Sequence, residues 1–146
     1  MFTAIKFTAS YSSVVTRAIS MAYYDSTSDS LKVLHCSTLE CTASTNTVAD
    51  NTGASGQCPT IIAGNDGNPL VFFEDRNKTT LRMVKCLDVS CTTSLSKILV
   101  PGGVVDGNNV VAIRSDGTPV VLYESVDVQE LNLLSCANAL CLPCGG

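Results

Sequence analysis

Six of the eight cysteines are placed where they could react with one another. Cys36, Cys86 and Cys136 fall fifty residues apart, and each is followed five positions later by a second cysteine, Cys41, Cys91 or Cys141. Zinc sites gather four ligands from closely spaced cysteines, often with histidine. Here successive pairs are fifty residues apart and the only histidine is His35. A redox pair would need a setting that stabilises a thiolate, which the sequence does not carry. Threefold recurrence of one spacing fits a disulfide framework and an oxidising compartment. The expected bridges are Cys36–Cys41, Cys86–Cys91 and Cys136–Cys141. Each straddles a hairpin turn, with its first cysteine ending one strand and its second opening the next. The closed loops are short, so each bridge stabilises by only about 2 kcal/mol. Cys58 and Cys144 lie outside the pattern; pairing with each other, pairing between chains and staying free all remain open.

A second recurring set is acidic. Tyr24-Asp25, Glu74-Asp75 and Glu124-Ser125 occupy one repeat position. Paired carboxylates can carry acid–base chemistry, but the pair changes from unit to unit and no histidine or tyrosine accompanies it throughout. The plainer reading is a polar strand end. Tyr24, Asp25, Glu74, Asp75 and Glu124 are the candidate ligand-binding residues, together with the loops 26–30, 76–79 and 126–129, because loops at one end of a repeat array commonly carry function. No catalytic residue, metal site or cofactor site is assigned. The four arginines, Arg17, Arg76, Arg82 and Arg114, occupy unrelated repeat positions. Nucleophile elbows and phosphate loops are absent. Asp66-Gly67 and Asp116-Gly117 form turns, without the acid cluster that calcium requires.

The elements that position these residues repeat with them. MAYYDSTSDSLKVLHCSTLEC, VFFEDRNKTTLRMVKCLDVSC and VLYESVDVQELNLLSCANALC share one frame. A period in this range marks an array of supersecondary units, none able to bury its faces alone. The chain is expected to be one repeat domain, 1–146, with units near 1–50, 51–100 and 101–146. The middle unit is the clearest. Residues 60–63 form a first strand, 65–68 a hairpin turn whose Asp-Gly step supplies positive φ, 69–75 a second strand, 80–86 a third, and a more polar fourth opens at Cys91 and runs toward 97–100. Pro101-Gly102-Gly103 closes the unit. In the third unit the first three strands are expected at 109–114, 119–125 and 130–136, with the fourth largely missing. In the first unit the strands are 19–25, 31–36 and 42–50, residues 5–15 supply the inner strand, and 51–56 is a connection. Tyr23, Phe73 and Tyr123 hold one repeat position and are read as packing between units. No helical period occurs.

The frame GNDGNPLVFFED…LRMVKCLDVSC, with SDGTPVVLYES…LNLLSCANALC, resembles the repeats of bacterial secreted β-propeller proteins, from about Ile19 onward. The resemblance implies an all-β fold of three four-stranded antiparallel blades, half of a six-bladed ring or a piece of a larger array. It implies no activity. In such a fold Cys58 and Cys144 fall on different blades, which argues against a bond between them. The first unit departs from the pattern by lacking the Asp-Gly-x-Pro turn. The β-trefoil, also three four-stranded units, is the alternative fold.

Composition narrows the partners. Charged residues make up only 15% of the chain and the net charge is −4, against a usual charged fraction of about a quarter. No basic stripe exists to hold nucleic acid, and no apolar run is long enough to span a membrane. The expected function is a non-enzymatic extracellular or cell-surface protein that assembles with copies of itself, as a ring-closing dimer or a polymer, because open sheet edges seek pairing. A lectin-like module binding glycans weakly at each unit is the alternative. A propeller-type glycoside hydrolase is the third reading; it lacks a convergent titratable cluster.

Overall fold

Apolar residues on both faces of a strand require cover on both sides. The sequences PLVFFED and TLRMVKC have that character, and every residue of both is buried. The computed structural model describes residues 8–12, 18–52, 55–125 and 129–141. Among these residues, eleven strands form three antiparallel sheets. Sheet 1 contains β1 (Thr8–Ser12), β2 (Ala18–Asp25), β3 (Ser30–Cys36) and β4 (Ser44–Asp50). Sheet 2 contains β5 (Ser55–Ala63), β6 (Pro69–Asp75), β7 (Thr80–Cys86) and β8 (Ser94–Val100). Sheet 3 contains β9 (Val104–Ile113), β10 (Pro119–Ser125) and β11 (Glu130–Ser135). Every ladder joins strands consecutive within one unit. No helix occurs among the described residues.

Sheet 2 lies between the other two. One of its faces presents Val71, Phe73 and Val84 to Ala22, Leu31 and Val33 of sheet 1. Its other face presents Leu70, Phe72, Leu81 and Met83 to Val121, Leu134 and Cys136 of sheet 3. The alternation of strand side chains produces the split, since neighbours in sequence point to opposite faces. Val71 stands opposite Val84 and Phe72 opposite Met83. Each sheet therefore has an A face, turned toward the preceding unit, and a B face, turned toward the next.

Turn chemistry fixes the register. The β5–β6 and β9–β10 turns close alike: Gly67 N–H donates to Gly64 O and Gly117 N–H to Arg114 O, each at 2.9 Å, with φ of 79° and 85° at the two glycines. The Asp66 and Asp116 carboxylates each accept the backbone N–H two residues on. The β2–β3 and β6–β7 turns are four residues long, and Asp29, Thr79 and Gln129 all adopt positive φ at the equivalent position.

Three expectations change, the first being that β9 begins at Val104, five residues before the expected 109. Residues 51–56 are not all connection, because β5 begins at Ser55 and stays paired with β6 through two register shifts. Bulges let a strand absorb unpaired residues and continue; here Gly56 (φ 95°) and Cys58 (φ 46°) supply the left-handed backbone. In the first two units the second cysteine of the pair does not open the fourth strand. Cys41 and Cys91 sit in the turn with φ of 53° and 55°, and pairing resumes at Ser44 and Ser94.

Gly56 also lets β5 cross close to sheet 1. A Cβ there would lie 2.6 Å from Leu31 Cβ and 2.7 Å from Leu31 Cα. The positive φ and the collision with a buried strand add together, so Gly56→Ala is expected to cost about 3 kcal/mol. Urea unfolding of the variant beside the parent protein measures it.

Candidate functional site

The acids proposed as ligand-binding residues are largely turned inward. Asp75 is fully buried and Glu74 is 3% exposed. Asp25 forms an ion pair with Lys32 across the β2–β3 hairpin; that hydrogen bond holds its carboxyl well below the usual carboxylate range. Tyr24 donates its hydroxyl to Asp29, which raises the phenol above its ordinary value. Glu124 is half-buried on β10. The five residues belong to three different sheets, and the two aspartates are each engaged by a cation from the neighbouring strand. Residues 126–128 and Cys144 lie outside the described residues. Cys58 is half-buried and outside the three disulfides.

Arg82 organises the junction between sheets 1 and 2. Its guanidinium pairs with Asp50 of β4 at 3.0 Å and with Asp75 of its own sheet at 3.8 Å. It donates to Ser96 at 2.9 Å and to Thr52, and stands 5.5 Å over the ring of Phe73. Ser96 in turn donates to Asp50 at 2.6 Å. Arg82 is only 8% exposed, so these partners stand in for its lost hydration. The sequence holds a sign of this at repeat positions 32, 82 and 132, occupied by Lys, Arg and Asn, each seven residues after Asp25, Asp75 or Ser125. Cation and acid occur together in two units and disappear together in the third. Reading the arginines alone conceals it.

The junction between sheets 2 and 3 is apolar, with polar links at its inner and outer rims. Asn109 Nδ2 donates to Cys58 O at 3.1 Å, and Thr60 Oγ1 to Asn109 O at 3.0 Å. Lys97 donates its ammonium to Cys141 O. A cleft of about 180 Å³ beside that contact is lined by Met83, Lys85, Leu95, Ser96, Lys97 and Leu140. It is below the roughly 300 Å³ at which small-molecule pockets begin. Among the described residues, no group of three or more His, Cys, Asp or Glu side chains could hold a metal ion.

All three expected disulfides are present, with Cα separations of 4.8, 4.7 and 4.5 Å. They fit an oxidising compartment. Each loop carries a second fastener that sequence reading missed. Thr38, Asp88 and Asn138 hold one repeat position, and their carbonyls accept the N–H of Cys41, Cys91 and Cys141. Their side chains cap the same turns. The Asp88 carboxylate accepts N–H groups from Ser90, Thr92 and Thr93 and the Thr92 hydroxyl. A side-chain acceptor recurring two residues after the first cysteine was the available signal.

The remaining feature is an uncovered face. The B face of sheet 3 carries Val110, Leu131 and Leu133 at 64%, 67% and 66% exposure. Leu81 and Met83, fifty residues earlier, are 0% and 2% exposed beneath sheet 3. At the other end of the stack, the A face of sheet 1 holds Met21, Tyr23 and Leu34, all half-buried.

Arg82→Ala strips the cation from two buried carboxylates and is expected to cost about 3–5 kcal/mol by chemical unfolding at neutral pH. At Asp88, burial pushes the carboxyl up, but the donors from Thr92, Thr93 and Ser90 outweigh it and leave the group below its ordinary value. A depressed folded value means that this stabilisation is present above about pH 4 and lost as the pH falls further. Asp88→Ala is therefore expected to lose about 1 kcal/mol at neutral pH and to flatten the dependence of stability on pH below about pH 4. Thermal melts across that range measure both effects. No protein-family model matches the chain, and no curated protein matches it.

Proposed function

We propose that this chain is a non-enzymatic repeat protein of β-propeller type that works by assembling with copies of itself, at the cell surface or outside the cell. The observation that carries the reading is the exposed B face of sheet 3, whose counterparts in sheet 2 are buried. Three features support blades in series. Each sheet is a meander of consecutive strands, no ladder among the described residues joins different units, and sheet 2 is covered on both faces. A trefoil, the alternative fold, needs its units joined into a common barrel, and no such closure exists among the described residues. Engagement of Asp25 and Asp75 by Lys32 and Arg82 leaves assembly ahead of glycan binding or hydrolysis.

Self-association places the apolar face out of water at no cost in new sequence, and symmetric closure is its common outcome. Two chains of this kind bring six sheets into one ring. Light scattering is expected to give a particle of twice 15.3 kDa, or a larger multiple, under non-reducing conditions. Persistence of that mass after mild reduction assigns the contact to the sheets; loss of it implicates an interchain disulfide. A monomer at all concentrations contradicts the proposal.

A further inference from the structure

We infer that the occupant of the open sheet 3 face is the A face of sheet 1 in a second copy, docked head to tail, and not a second sheet 3 face. The inference rests on the assembly reading and names its contact. Two junctions inside the molecule set the rule. The B face of sheet 1 (Ala22, Leu31, Val33) receives the A face of sheet 2 (Val71, Phe73, Val84). The B face of sheet 2 (Leu70, Phe72, Leu81, Met83) receives the A face of sheet 3 (Val121, Tyr123, Leu134). Neither junction joins two faces of the same kind.

The end faces match the second junction position by position. Val120, Leu122, Leu131 and Leu133 stand where sheet 2 has Leu70, Phe72, Leu81 and Met83. Met21, Tyr23 and Leu34 stand where sheet 3 has Val121, Tyr123 and Leu134. All seven positions stay apolar, with Val120 and Leu122 smaller than Leu70 and Phe72 and Met21 larger than Val121, and exchanges that keep apolar character and differ by little volume are the ones packed surfaces tolerate best. The end faces do not match the first junction, where small Ala22 and bulky Phe73 share one cluster and Arg82 reaches across to Asp50. Charge agrees. Lys32, the counterpart of Arg82 on the end face, is already neutralised by Asp25 in its own hairpin, so it demands no acid from the partner. The contact would continue an interface that the molecule already uses, in a heterologous geometry that closes as a ring or propagates as a filament.

Two blocked proteins test it. One carries Leu131→Asp with Leu133→Asp; the other carries Met21→Asp with Leu34→Asp. Strand circular dichroism and a cooperative melt establish that each folds, and Tyr23→Lys replaces the second pair if it does not. Head-to-tail docking predicts that each protein alone sediments as a monomer. Mixed in equal amounts, they form a one-to-one dimer through the single intact contact, about doubling the mass, at lower affinity than the parent. A dimer from the sheet 1 variant alone, with none from the sheet 3 variant, overturns the inference in favour of two sheet 3 faces meeting. Monomers in the mixture, beside an associating parent protein, overturn it while leaving assembly intact. A monomeric parent overturns the assembly reading itself.

Discussion

The constraint on which this structure depends is that a sheet apolar on both faces cannot stand alone. Sheet 2 meets it completely: all residues of β6 and β7 are buried. At about 25 cal/mol for each Å² of apolar surface removed from water, stacking outweighs any single polar contact in the molecule. The cysteine pairs, turn caps and ion pairs are arranged around that stack. They hold hairpin ends and rims in register, where burial is thinner and packing alone specifies less.

The two internal junctions solve the same problem differently. Between sheets 1 and 2 an arginine spans two acids above a small apolar contact built on Ala22, Leu31 and Val33. Between sheets 2 and 3 larger side chains meet and the polar links move to the rims. An ionic junction is directional, because a buried cation without its acid is costly, and this fixes which sheets are neighbours. An apolar junction is more permissive and can be made again by another pair of faces of similar volume. The exposed B face of sheet 3 and the half-buried A face of sheet 1, at the two ends of the stack, are of the second kind.

Much of this was legible in the sequence. The fifty-residue period, the Asp-Gly turns and the cysteine pairs located the strands; β6, β7 and β10 occur at the expected residues, and β2, β3 and β11 within one residue of them. The errors fell where backbone conformation and not pattern decides. A left-handed Cys91 keeps the chain in its turn for three more residues, and a bulged Gly56 extends β5 into what read as a connection. Asp75 read as a polar strand end and is buried, because its cation partner Arg82 comes from the next strand and is itself held by Asp50 from across a junction that linear reading cannot see. Leu131 and Leu133 fall in the expected strand 130–136, where nothing in the sequence marks them as exposed. Only the comparison with buried Leu81 and Met83 gives their exposure a meaning.

The central claim is that the B face of sheet 3 is covered in the native protein. Hydroxyl-radical footprinting read at single residues tests it most directly, with Leu81 and Met83 as internal standards of burial. The account predicts that labelling of Leu131 and Leu133 falls toward the Leu81 level as protein concentration rises. Free labelling of both leucines at every concentration, with Leu81 protected throughout, would contradict it.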